Sequence, residues 1–324
     1  MQSKTFFAAL AIATAVPLIA MPLYAMIPAL APAAPLTLLV VAVWALTGYG
    51  HVLSTLWFGA DPDYAPVINA NRWRMIASLA LIPAAVGALA LADTRVSAWL
   101  YAAFLVWQAH HYNRQNYGVL SFAAARDGTG PLPRDVGLIL SLTTMAGALG
   151  MVTLPTIYPR GLPLLPFQTG AAALVGRWAA IACFIAAAGA IARLVWRNER
   201  VRRSPTVLLF LCLSGVFFLP SLLPGAPQAA FWPYAMAHGA QYFVIMGVTS
   251  RRAPHAWGRI AGVAAVATAL GAAAFQLPRL VLAQAYMGVV VWHFLADARL
   301  WRLRDPAVRA IVYRRFDFLF ARAQ

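Results

Sequence analysis

The sequence predicts an all-α, polytopic integral membrane protein: a bundle of about ten transmembrane helices with both termini in the cytoplasm. Three observations carry this prediction. Hydrophobic residues make up 62% of the 324 residues and charged residues only 10%, against roughly 25% charged in a soluble domain. Several apolar runs reach the roughly 20 residues that a helix needs to cross a bilayer. The basic residues, 25 against nine acids, lie in short stretches between those runs. That is the topology signature of a membrane protein. No nucleic-acid-binding motif accompanies the net charge of +16, so nucleic acid is not an expected partner.

The elements follow in order. The first apolar run, 5–28, is longer than the core of a signal peptide and is expected to be the first span. Charged and Pro/Gly breaks then separate spans at 36–59, 75–92, 96–121, 136–155, 172–196, 205–223, 228–249, 259–276 and 280–298. The seventh is short and is interrupted near its end by Pro220 and Pro224, and the ninth is mostly Ala, Gly and Val. The Pro- and Gly-rich stretch 158–171 is expected to be the longest external loop. With the N-terminus in the cytoplasm, only Arg95, Arg160, Arg177 and Arg279 of the 25 basic residues fall outside. The positive-inside rule favours that orientation, and a bacterial inner membrane is the expected location.

Residues 1–298 are expected to form the bundle and 299–324 a basic cytoplasmic tail. The tail mixes arginines with Trp301, Val308, Ile311, Phe316, Phe318, Leu319 and Phe320. Two readings stand: an amphipathic helix on anionic lipid headgroups, or a helix packed on the cytoplasmic loops. Cys183 and Cys212 lie in separate apolar segments with no CxxC neighbour, as reduced packing residues do.

The chemistry points to histidine. His255 sits in the loop RRAPHAWGR, where a solvated surface role is expected. The other five lie within spans: His51 in the second, His110 and His111 in the fourth, His238 in the eighth and His293 in the tenth. Ionisable residues inside a membrane are costly and face the bundle interior. All four spans run from outside to inside in the favoured topology. Counted back from their cytoplasmic ends, their imidazoles share one layer in the cytoplasmic half of the bilayer. Helices of one direction with imidazoles in one layer can converge on one centre.

Neutral imidazole is the commonest protein metal ligand, and three or four of them suit Fe, Cu or Zn. His51, His110 or His111, His238 and His293 are the expected ligands, with non-haem iron the first choice of metal. The side chains of His110 and His111 point about 100° apart, so one of the two is expected to bind. Asp297 follows His293 by four and lies on the same helix face, as a ligand or an orienting acid. Thr55, Asn113, Gln115 and Gln241 stand three or four residues after the histidines, where an orienting hydrogen-bond partner belongs. Arg114, on the His110 helix, is either an anion-binding group or a helix-end charge reaching for the interface. Tyr242 joins Asp297 and Arg114 as a candidate catalytic group. Trp57, Trp107, Tyr112, Tyr117, Tyr242, Phe243, Trp292 and Phe294 crowd the layer, either as walls of an apolar pocket or as interfacial and core packing. HxxxH, HExxH, GxSxG and phosphate-loop motifs are absent.

At these residues the chain resembles the Brp/Blh-type membrane β-carotene dioxygenases. His238-Gly239-Ala240 is similar to that family's PHGA segment, and His293-Phe294 with Asp297 is similar to its HFG segment and following acid. Ala237 stands where that family has proline, and Leu295 where it has glycine. The resemblance implies an iron oxygenase acting with O₂ on a hydrophobic small molecule such as a lipid, isoprenoid or carotenoid. A second resemblance is to haem A synthases, which hold haem between paired histidines. The intervals His51 to His110 and His238 to His293 are 59 and 55 residues, but no glutamate precedes a His-Arg pair. That resemblance implies a haem-binding redox or haem-modifying protein. A non-enzymatic transporter or assembly protein with structural histidines is the third expectation.

Overall fold

The computed structural model describes residues 3–26, 34–159, 161–223, 227–250, 258, 261–262, 265–266, 269 and 279–320. The ninth expected span and the His255 loop therefore lie outside the described residues, apart from isolated helical positions. The described residues are all-α. Six of their helices are long and apolar enough to cross a membrane, as expected of a polytopic bundle.

α1 (Ser3–Met26) opens the chain. α2 (Ala34–Ala45) continues through a π turn (Leu46–Gly50) into the short α3 (His51–Ser54) and a 3-10 turn (Thr55–Ala60). α4 (Ala65–Ala92) and α5 (Thr94–Asp127) follow. α4 begins ten residues before the expected third span, because a turn closed by Tyr64 N–H to the Asp61 carbonyl delivers Pro66 into its first turn, where a missing N–H costs nothing. Arg72 and Arg74 thus sit on a helix rather than in a connecting segment. α5 starts at Asp93, which caps the Arg95 N–H, and ends at Gly128 with φ +66°, the left-handed closure that favours glycine. α6 (Arg134–Val152), α7 (Gly170–Arg197), α8 (Glu199–Arg202) and α9 (Pro205–Val216) come next. α9 gives way to a 3-10 turn at Leu219–Leu222, where Pro220 cannot supply a helical N–H. α10 (Pro227–Ala230), α11 (Trp232–Ser250), α12 (Arg279–Leu300), α13 (Pro306–Arg315) and α14 (Asp317–Phe320) complete the described chain.

Contacts between the histidine-bearing elements give their directions. Trp44 stacks on Trp232, His51 meets His238, and Thr55 meets Tyr242. Tyr112 meets Tyr234, and Gln115 meets Gln241. Tyr49 meets Tyr286, His51 meets His293, and Phe58 meets Trp301. Residue numbers rise together in each series, so α2–α3, α5, α11 and α12 run parallel. α1 runs against them: Phe6 meets Phe122 of α5, whereas Thr14 bonds Gln241 of α11.

Charge collects at one end of the bundle. Asp127 there accepts from Ser204, Arg126 donates to Thr206, and Arg193 pairs with Asp135. The apolar side chains of the tail, among them Val308, Ile311, Val312, Phe316 and Leu319, are taken into the same core as Phe6 and Phe122. Arg315 on α13 is buried with them. It pairs with Asp61 at 3.0 Å and with Asp63, and donates to the Thr249 carbonyl. A buried guanidinium is tolerable only when paired and hydrogen-bonded in this way. The contact ties the turn after the His51 segment to the end of α11. Burial pushes the Asp63 carboxyl up, but hydrogen bonds and charge from Arg315 and then Arg314 outweigh it and hold that carboxyl below its ordinary value.

Candidate metal centre

Four imidazoles close a ring. His51 and His238 have ring centres 4.9 Å apart, His238 and His111 4.9 Å, His111 and His293 5.2 Å, and His293 and His51 5.1 Å. Every neighbour in this cycle is edge-to-face, with interplanar angles of 69° to 84°. Two overlapping groups, His51–His238–His293 and His111–His293–Asp297, each bring three ligand atoms within 4.8 Å of one another. These are buried clusters able to chelate a metal ion.

The backbone makes this possible at one close contact. A Cβ on Gly239 would stand 1.9 Å from the Thr47 carbonyl oxygen. Only glycine lets α11 approach the π turn so closely, and that approach puts His238 beside His51. The π turn occurs immediately before His51, as such turns often do at functional sites.

Hydrogen bonds fix two of the ring tautomers. The Thr47 carbonyl can only accept, so its bond from His51 Nδ1 puts the proton on Nδ1 and the lone pair on Nε2. For His293 the direction comes from the far end of a chain. Tyr242 donates to Asp297 Oδ1 at 3.1 Å, so its oxygen is left to accept from Thr55 at 3.5 Å. The Thr55 oxygen then accepts from His293 Nδ1 at 2.6 Å, and Nε2 again keeps a lone pair. Partners of this kind set the orientation and basicity of metal-binding imidazoles.

Each of the four imidazoles offers a free nitrogen. His51 Nε2, His111 Nε2, His293 Nε2 and both nitrogens of His238 are buried with no hydrogen-bond partner among the described residues. A buried polar atom left unpaired costs about 1–3 kcal/mol, so five in one cluster make a poor structural core, and one nitrogen from each ring is available as a ligand. Asp297 Oδ2 lies 3.7 Å from His293 Nε2. The donor set of four imidazoles and one carboxylate suits a first-row transition metal.

Packing completes the centre. His238 stacks on Tyr112 at 4.1 Å, and Gln108 holds the Tyr112 hydroxyl. His111 stacks on Phe294 at 4.1 Å. Gln115 donates to the His238 carbonyl at 3.0 Å and to Gln241 at 2.8 Å.

Not every candidate joins. Of the adjacent pair, His111 turns inward and His110, about 100° further round α5, is exposed. Arg114 is exposed on the His110 side, its guanidinium 5.7 Å from the Tyr117 ring centre. Asn113 turns from the histidines to α6, donating to the Leu140 carbonyl, Thr143 and Thr144. Thr55 holds His293 of another helix rather than His51, and Gln241 donates to Thr14 rather than to His238. Of the crowding aromatics, Tyr112, Tyr242 and Phe294 touch the imidazoles. Trp292 instead bonds the Met75 carbonyl. Sequence reasoning missed Thr47, whose backbone does the work; Gly48 and Gly50 beside it and the Gly after His238 were the only available signals. No family model, curated protein or solved structure matches this chain.

Proposed function

We propose that this chain is a membrane-embedded metalloenzyme that holds one non-haem iron and uses it to oxygenate an apolar substrate drawn from the bilayer. The observation that carries the reading is the closed ring of four buried imidazoles whose unpartnered nitrogens, with Asp297, fall into two overlapping three-ligand groups. His51, His111, His238 and His293 are the ligands in this reading. Asp297 is a fifth ligand or the acid that orients His293. The iron supplies O₂ activation. The chain's own residues hold the ligand tautomers, exclude water and keep Tyr242 aimed at Asp297. A dioxygenation, with both atoms of O₂ entering organic product, balances without a further reductant. The resemblance to the β-carotene dioxygenases supports the same class. Ten spans, cytoplasmic termini, a bacterial inner membrane and exposed tail arginines on anionic headgroups complete the proposal.

The haem reading fits the geometry less well. Each imidazole stands 4.9–5.2 Å from two others around one cycle. A porphyrin, many times the area of one imidazole, has no plane to lie in without opening that cycle.

Elemental analysis and absorption spectra of the purified protein test the proposal. We expect about one iron per chain and no Soret band. His51→Ala, His111→Ala, His238→Ala and His293→Ala should each lower bound iron about tenfold or more, whereas His110→Ala should retain it. A Soret band would transfer the site to haem. Iron content untouched by all four substitutions would remove the centre altogether.

A further inference from the structure

The outward face of α5 carries a cation where lipid should be. Trp107, His110, Arg114 and Tyr117 recur at helical spacing along one stripe, and all four are exposed. Arg114 lies 12 residues before Arg126, or about 18 Å along the helix. Arg126 lines a cavity of about 250 Å³ with Lys4 at the charged end of the bundle. Arg114 is also 19 residues, about 28 Å, from Arg95 at the other end. It therefore stands well inside the length of α5, nearer the charged end that holds Arg126. Among the described residues it makes no ion pair, and its guanidinium lies over the face of Tyr117. An arginine on the lipid-facing side of a bundle helix normally faces a partner or marks a substrate path.

The same stripe borders the metal centre. Trp107, two-fifths exposed, has its ring centre 6.3 Å from that of Phe294. Phe294 in turn stacks on His111. One aromatic ring thus separates the exposed indole from an inward imidazole. Phe294 is thus the ring a chain lying against Trp107 would meet on the way to His111.

We propose that this stripe is the docking site for an amphiphile with one long apolar chain and one carboxylate. The carboxylate binds the Arg114 guanidinium, whose planar fork matches it, with a hydrogen bond from His110. One guanidinium balances one negative charge, which selects a monoanionic head. The chain then lies over Trp107 toward Phe294. This deepens the proposed function by naming its substrate class as long-chain acids, and it rests on that reading only for what happens after docking.

Docking can be read without turnover. The full-length holoprotein is placed in zwitterionic nanodiscs, and tryptophan quenching by dibromostearate is titrated. The wild type should be quenched, Trp107→Phe should lose that component, and Arg114→Gln should bind about tenfold more weakly. Arg114→Lys should fall between, since it keeps the charge and loses the fork. The methyl ester should show no dependence on Arg114. Equal binding by wild type and Arg114→Gln would overturn the proposal. So would quenching by a brominated phosphatidylglycerol as strong as that by the acid, which would make the stripe a phospholipid site. A Trp107 that no brominated lipid reaches would mean that a second copy covers the face, and would overturn it too. Iron is measured in the same samples. Iron-free protein that still shows Arg114-dependent binding would sink the metalloenzyme and leave the docking site standing.

Discussion

α7 and α11 are built from similar material and do opposite jobs. α7 is strongly apolar and shows Leu174, Val175, Trp178 and Ile185 to its surroundings. α11 buries His238, Gln241, Tyr242, Thr249 and Ser250. The same contrast divides the molecule. Of the four histidine-bearing elements, only the Leu38–Phe58 stretch is among the six helices apolar enough to be recognised as spans, and α5, α11 and α12 are not. Lipid tails are as apolar as leucine, so apolarity does not draw helices together in a bilayer; small residues and polar contacts do. Apart from the Leu38–Phe58 stretch, the apolar helices become the shell and the polar ones the centre. Hydropathy finds the first group, and the polar residues that spoil hydropathy find the second.

The largest expected effect tests whether centre and shell differ in tolerance. Gly239→Ala places a methyl against the Thr47 backbone, which cannot move without carrying His51 with it. It should cost about 3 kcal/mol or more and lower bound iron. Gly189→Ala, on the outward side of α7 with nothing within 4 Å, should stay within about 1 kcal/mol of the wild type. Thermal midpoints and iron content in detergent check both. Equal losses at the two glycines would erase the distinction.

A smaller effect sharpens what the centre consists of. Thr55→Val keeps the shape of the side chain and removes the oxygen that receives the His293 Nδ1 proton. Metal affinity should fall about 10–100-fold with the fold intact, read by competition with a chelator. Unchanged affinity would mean that packing alone holds His293.

The smallest effect concerns the charged end that ties the inner elements together. The Asp63 carboxyl is held below its ordinary value near 3.8 by Arg315 and Arg314. A group depressed on folding stabilises above its unfolded value, and that contribution is lost as pH falls through the folded one. The thermal midpoint of the wild type should exceed that of Asp63→Asn at neutral pH. The gap should hold down to about pH 4 and close below it. A gap that widens in acid would show the sign to be wrong.

The positions of the histidines were legible because an imidazole in an apolar run is conspicuous and expensive. Their number per helix and their common direction were legible for the same reason, through the distribution of charge between runs. Their hydrogen-bond partners were not. Thr55, Asn113 and Gln241 are spaced to serve the histidine on their own helix, yet none bonds that imidazole and each bonds a neighbouring helix. In a bundle the interior face of one helix looks at the next, so spacing along one helix nominates the right residue and the wrong partner. α4 began earlier than its apolar run because a proline and a turn, rather than hydropathy, set its start.

The amino-acid sequence by itself determined an all-α membrane protein with imidazoles buried in four parallel elements. Composition and the cost of burying polar groups in lipid leave little else. It could not choose between His110 and His111, which differ by one step of about 100° around α5. That choice was decided by which face of α5 meets α11 and α12, a matter of packing alone. Tertiary structure also supplied the Thr47 carbonyl, since a backbone acceptor has no signature in sequence. It set Arg114 on the outer stripe, because Arg114 follows His110 by four residues and shares the face of α5 that packing leaves outside.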